Sequence, residues 1–164
     1  MLRAEEGLAD IFFASPGLSE YIAYLVSPVP HCSLTRYAQG SMLKTILIVD
    51  DSAMIRRIVS QLIQKLGHQP LTAENGLQGY EMAAEVRPDM IIMDIEMPVM
   101  DGFEATWRIK SDQRTTHIPV MFFTALGSEE NIQQAREAGG IGFLNKPICK
   151  EELSQAILDI FGAD

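Results

Sequence analysis

From Lys44 onward the chain carries four short, uninterrupted apolar runs: Ile46–Val49, Met90–Met93, Val120–Phe123 and Ile141–Leu144. Runs of this length without polar alternation suit strands covered on both faces, as in a parallel sheet. A weaker strand fits Gln69–Ala73. Between the runs the spacing turns helical. The clearest helix has Met54, Ile55, Ile58, Val59, Leu62, Ile63 and Leu66 on one stripe, with Gly67 placed for a left-handed C-terminal cap. Pro88 closes a second helix over roughly Gly76–Val86, because a proline pushes the residue before it out of helical conformation. Another helix starts near Ser128, a candidate N-cap with Glu129 and Glu130 in the first turn, and stops at Gly139-Gly140; the last covers about Lys150–Phe161. Strand and helix alternate five times. Such crossovers predict an α/β fold, a parallel sheet with helices on both faces, whose active crevice lies at the carboxyl ends of the strands.

Upstream of residue 42 this pattern is absent. Residues 1–41 hold Ser15-Pro16-Gly17, Ser27-Pro28-Val29-Pro30 and Gly40-Ser41, clusters that punctuate a chain rather than build long elements. Leu18–Val26 suits a short helix or a strand equally. The chain therefore divides into an N-terminal extension, 1–41, and a regular domain, 42–164. The extension reads either as an upstream leader without function or as a docking arm using Phe12, Phe13, Tyr21 and Tyr24.

Composition narrows the class. With 164 residues, 47% apolar and 21% charged, the chain can bury a core and is not a disordered polymer. Its net charge of −9, with the cations scattered, argues against direct nucleic-acid binding. Cys32 and Cys149 form neither a disulfide framework nor a CxxC pattern, so a reduced, cytoplasmic setting is expected. No apolar run approaches the roughly 18–20 residues of a membrane helix. Arg3, Glu5 and Glu6 ahead of the short run Ile11–Ala14 do not make a secretory signal. His31, His68 and His117 are isolated, so no histidine metal site is expected. Cys149, near a helix start, is either a thiol of lowered pKa or, the simpler expectation, a packed one. Trp107 is expected to be partly buried packing.

Chemistry gathers at the strand ends. The first run ends in Asp50-Asp51, the second in Asp94, the third in Thr124-Ala125, and the last is followed by Asn145-Lys146-Pro147. Taken singly, each has an ordinary explanation: a solvated loop, an N-cap, a turn before Pro98, a lysine pointing to water. Together they place three carboxylates, a hydroxyl and an ammonium on one sheet edge. Two unit charges about 4 Å apart repel by roughly 4 kcal/mol at an effective dielectric near 20. Such a cluster needs positive charge, and an all-oxygen donor set suits a hard divalent cation such as Mg²⁺, although Lys146 offsets part of the charge without metal.

These residues carry a resemblance. Ile46-Leu47-Ile48-Val49-Asp50-Asp51-Ser52, the loop Met93-Asp94-Ile95-Glu96-Met97-Pro98-Val99-Met100-Asp101-Gly102, Thr124-Ala125 and Lys146-Pro147 resemble the receiver domain of two-component response regulators, from Met42 to about Gly162. The resemblance implies a flavodoxin-like five-stranded sheet in the order 2-1-3-4-5. It implies that Asp94 is the phosphoacceptor, attacking a phosphohistidine on a sensor histidine kinase or a histidine phosphotransfer protein to give an acyl phosphate. Asp50, Asp51, Asp94 and the backbone carbonyl of Glu96 would hold Mg²⁺. Lys146 would pair with a phosphoryl oxygen, aimed inward by a cis peptide before Pro147. Thr124 and the Ala125 amide would bind the new phosphate. Phe143 matches the family's mobile aromatic, which would change the face formed by the fourth helix, fifth strand and fifth helix; ordinary core packing is the equal alternative. That face would serve a downstream protein, and a homodimer is possible through it. Glu96 and Leu126 occupy positions that adjust phosphate lifetime in the family.

By the same resemblance the chain is a signalling protein and not an enzyme beyond self-phosphorylation and self-dephosphorylation. Two other classes stand beside it. A receiver-like interaction module would work through its surface without phosphorylation. A haloacid-dehalogenase-type phosphatase also uses Asp, Mg²⁺, Thr and Lys, but its nucleophile follows the first strand, whereas here the acidic pair comes first and no room is left for a substrate cap. No effector segment is expected after residue 162, which leaves a stand-alone receiver or a piece of a larger regulator, with no membrane and no nucleic-acid partner.

Overall fold

The computed structural model describes residues 43–125 and 129–162. The extension with its aromatic residues, His31 and Cys32, together with Leu126 and the N-cap expected at Ser128, lies outside the described residues. In chain order the elements are β1 (Thr45–Val49), α1 (Ala53–Lys65), β2 (Gln69–Ala73), α2 (Gly76–Val86), β3 (Met90–Asp94), α3 (Gly102–Ser111), β4 (Val120–Thr124), α4 (Glu129–Glu137), β5 (Gly142–Asn145) and α5 (Lys150–Phe161).

All pairings are parallel, and the sheet runs β2-β1-β3-β4-β5. The direction of strand addition reverses between β1 and β3, which opens a crevice beyond their carboxyl ends. The three central strands are buried along nearly their whole length, as their uninterrupted apolar runs require. β2 is an edge strand, which is why Pro70 is tolerated within it.

Alternation sorts the strand residues into two cores. Ile46, Ile48, Met90, Ile92, Met121, Phe123 and Leu144 pack with Val59 and Ile63 of α1 and Leu153, Ala156 and Ile157 of α5. Leu47, Val49, Ile91, Met93, Val120 and Phe122 pack with Ala83 of α2, Ala105 and Ile109 of α3, and Ala135 beside Ala138 at α4. Helices thus cover both faces, α1 and α5 on one and α2–α4 on the other. Among the described residues no helix is long and apolar enough to cross a membrane.

Caps set the helix starts. The side chains of Ser52, Asn75 and Asp101 accept from the backbone N–H of Ile55, Gln78 and Glu104. Gly67, at φ +86, follows the last turn of α1 as expected.

Several expectations are corrected. Met54 and Ile58 are exposed at 68% and 43%, because each sits one position before Ile55 and Val59, about 100° around the helix from the buried stripe. Ile141 precedes β5 and is exposed, on an edge strand that only β4 flanks. Trp107 is 60% exposed, because Ala105, Thr106 and Ile109 supply the buried side of α3. Cys149 is exposed rather than packed; its sulfur accepts from Glu152 N and caps α5.

The loop between β3 and α3 is tightly constrained. A Cβ on Gly102 would collide with the carbonyl oxygen of Asp94, so no other residue fits this turn unstrained. Met100 N donates to Pro98 O at 2.9 Å across Val99, whose φ is 73°. This is the rarer, strained form of γ-turn, and a β-branched residue suits it poorly. Val99 is 78% exposed and so loses little packing on truncation. Val99→Gly is expected to raise stability by about 1 kcal/mol, the relief of strain exceeding the added unfolded-chain entropy. Urea unfolding midpoints read this directly, and an unchanged or lower midpoint counts against it.

Candidate functional site

Strand alternation decides which side chains meet. Asp50 extends β1 by one residue, its N–H reaching Ala73 O at 3.2 Å, and keeps the phase of Ile46 and Ile48. Asp94 closes β3 in the phase of Met90 and Ile92. Lys146 N donates to Thr124 O at 2.9 Å, which carries the ladder past β5 in the phase of Leu144. All three therefore approach one another from the same side of the sheet. Thr124 has the opposite phase, that of Phe122 and its cross-strand partner Phe143.

The Lys146 ammonium lies 2.8 Å from Asp50 Oδ2 and 2.9 Å from Asp94 Oδ1. Asp50 is fully buried and Asp94 is 6% exposed. Each carboxylate also accepts a backbone N–H: Asp50 Oδ1 from Ser52 at 2.8 Å, Asp94 Oδ1 from Ile95 at 2.9 Å. The ammonium also stands 5.0 Å above the centroid of the Phe123 ring. The Lys146–Pro147 peptide is cis.

Burial pushes the Asp94 carboxyl above the usual carboxylate range, with Asp50's charge adding to the rise and Lys146 pulling against it. Burial works against the charge of Lys146, but its bonds to Asp50 and Asp94 outweigh it and raise the ammonium's pKa. The lysine is therefore cationic at neutral pH, and ionised Asp94 is disfavoured by its surroundings.

Asp51 completes the acidic set. Carboxylate oxygens of Asp50, Asp51 and Asp94 lie within 4.8 Å of one another, while the Asp51 side chain faces solvent. Two buried carboxylates and one exposed carboxylate, all oxygen donors open on one side, fit a hard divalent cation that keeps some of its water. Thr124 is buried at the end of β4, and Ala125 just beyond is exposed. Glu96 is exposed in the loop after Asp94. Phe143 is half-buried, its ring 5.9 Å from Phe122, which in turn lies 5.4 Å from Phe103.

One contributor escaped the sequence reading. Arg56 Nη1 donates to the backbone carbonyls of Asp50 at 2.8 Å and Asp51 at 3.0 Å. The available signal was its place in the first turn of α1, where side chains lean back toward the helix N-terminus and so over the acidic loop.

The model of the response regulator receiver domain matches residues 46–158. The chain belongs to this family. Receiver domains are two-component signalling proteins rather than enzymes of the usual kind; they are phosphorylated on aspartate and bind Mg²⁺ at an acidic site. Among curated relatives, the chemotaxis protein CheY of Halobacterium salinarum is 38% identical over 122 residues, 74% of this chain and 100% of its own length. Protein PilH of Pseudomonas aeruginosa is 38% identical over 112 residues, 68% of this chain and 93% of its own. Among solved structures, the receiver domain of a Pseudomonas aeruginosa sensor histidine kinase, with a magnesium ion coordinated in its active-site cleft, aligns at TM-score 0.69 and 26% identity, covering 74% of this chain and 100% of its own. A chain of the Borrelia burgdorferi CheX–CheY complex with BeF₃ and Mg²⁺ aligns at TM-score 0.69 and 25% identity, over 77% of this chain and 95% of its own. The flavodoxin-like strand order expected of a receiver is the one observed.

Two stability predictions follow from the receiver's charge cluster. Because the folded pKa of Asp94 is raised, its protonated form is favoured by folding, and stability is lost as pH rises through that value. Without divalent metal, Asp94→Asn is expected to melt higher than wild type at pH 7, the gap closing as pH falls below about 3.9. A gap that widens in acid would contradict the assigned direction. Lys146→Met leaves two buried carboxylates uncompensated and is expected to cost roughly 3 kcal/mol at pH 7, most of it regained in the double variant with Asp94→Asn. Additive losses in a double-mutant cycle would show that the three groups do not act as one unit.

Proposed function

We propose that Asp94 is the phosphoacceptor of this receiver domain and that its phosphorylation switches a protein-binding face. The carrying observation is a nearly buried carboxylate at the end of β3, 2.9 Å from a cationic lysine and grouped with two further carboxylates. An Asp94 carboxylate oxygen attacks the phosphorus of a phosphohistidine on a sensor histidine kinase or histidine phosphotransfer protein. The new O–P bond forms as the P–N bond breaks, and the electron pair leaves on the donor imidazole, which takes up a proton. The product is an acyl phosphate on Asp94.

Asp50, Asp51 and Asp94 with the backbone carbonyl of Glu96 would hold Mg²⁺, which would supply positive charge to offset the meeting of two anions. Lys146, already paired to Asp94, takes a phosphoryl oxygen. Thr124 donates its hydroxyl to the phosphate and the Ala125 amide adds a second donor. Glu96 and Leu126 set the rate of self-dephosphorylation by their effect on incoming water.

Thr124 has the strand phase of Phe122 and Phe143, so a pull on Thr124 reaches the aromatic packing behind it. Phe143 then changes position, and the face of α4, β5 and α5 changes shape for a downstream protein or a second copy of the chain. The setting is the cytoplasm, and neither nucleic acid nor membrane is a direct partner.

With Mg²⁺ and acetyl phosphate, the chain is expected to gain one base-labile phosphoryl group per molecule, seen as a mass increase in intact-protein spectra. Asp94→Asn should not gain it. Undiminished labelling of that variant would overturn the assignment.

A further inference from the structure

Asp50 and Asp94 are each held by a backbone N–H and by Lys146. Asp51 has no such support: among the described residues no hydrogen bond or ion pair holds its carboxylate. Its position is set by its backbone, and that backbone is held by Arg56. Nη1 of Arg56 bonds the carbonyls of Asp50 and Asp51, while Nη2 pairs at 3.0 Å with Oε1 of Glu74, the residue that directly follows β2. The Arg56 side chain is only 13% exposed, so it is fixed, whereas Glu74 is open to solvent. Glu74 is steadied in turn by its backbone N–H, which donates to Gln78 Oε1 at 2.7 Å. A planar guanidinium can serve these acceptors together; a lysine ammonium on a shorter reach cannot.

We infer that Arg56 is a positioning residue that fixes the Asp50-Asp51 turn and thereby presents the Asp51 carboxylate to a divalent cation. The inference rests on the proposed magnesium site. Arg56 is a cation close to the acidic set, so electrostatics alone predicts that removing it tightens Mg²⁺ binding. Positioning predicts the reverse, because the Asp51 carbonyl then loses the guanidinium that holds it and the turn must be ordered when the ion arrives. Removing the groups that orient metal ligands typically weakens affinity by about 10- to 100-fold.

The test is calorimetric titration of MgCl₂ into the full chain at constant ionic strength, which reads binding without any phosphorylation. Arg56→Ala is expected to bind Mg²⁺ about tenfold more weakly than wild type. Arg56→Lys, which keeps the charge, should fall between the two. In an Asp51→Asn background, Arg56→Ala should cause no further loss, since its effect passes through Asp51. Equal or tighter binding by Arg56→Ala, or additive losses in the double variant, overturns the inference. Circular dichroism before titration checks folding; if Arg56→Ala is unfolded, Arg56→Lys decides, and wild-type affinity in it overturns the inference. Absence of Mg²⁺ binding by the wild-type chain would instead remove the underlying reading, and the inference with it.

Discussion

One ammonium between two buried carboxylates holds the carboxyl edge of this sheet together. Asp50 and Asp94 come from adjacent strands β1 and β3, and Lys146 arrives from the far edge beyond β5. Like charges at this separation are unfavourable, and burial adds to the cost. The lysine makes the arrangement tolerable without making it comfortable, which is why the carboxyl of Asp94 stays displaced upward. The site is therefore held short of its best electrostatic state, and an additional positive charge would relieve it. An acidic cluster in that condition fits a hard divalent cation.

The surrounding frame is rigid where the chemistry needs it. The central strands are buried on both faces, and Gly102 seats α3 directly against the Asp94 carbonyl. The loop past Asp94 turns through Val99 in a conformation that costs energy, a feature common where local geometry serves a site. Arg56 ties the acidic turn to the neighbouring loop. Rigid strands with few adjustable side chains are what a two-state switch requires, since interlocking packing changes in discrete steps.

Much of this was legible in the amino-acid order. Uninterrupted runs such as Met90–Met93 suit strands covered on both sides, and the residue types at their ends then fall on one edge. Pro88 and Gly67 marked helix ends accurately because their effects are local and steric. Hydrophobicity read around a helix was less dependable: Met54, Ile58 and Trp107 are apolar yet exposed, because spacing defines a stripe but not its width, and only packing selects which flank is covered. Arg56 was missed for a different reason. Its two acceptors at the acidic turn are backbone carbonyls, which residue types do not mark, so only its place in the first turn of α1 pointed to them. Cys149 belongs to the same class, its capping role set by backbone geometry and not by sulfur chemistry.

The split in strand phase has a consequence for how such a molecule can diversify. Asp50, Asp94 and Lys146 share a side with the core under α1 and α5, whereas Thr124 shares the other with Phe122, Phe143 and the core under α2–α4. Away from the carboxyl rim, where Asp94 and Thr124 end neighbouring strands, the two cores have separate memberships, so substitutions deep in separate layers should combine almost independently. Surfaces on the two layers can then drift apart over evolutionary time, one acquiring new contacts while the other keeps its old ones, with only the handful of side chains at the shared rim obliged to stay.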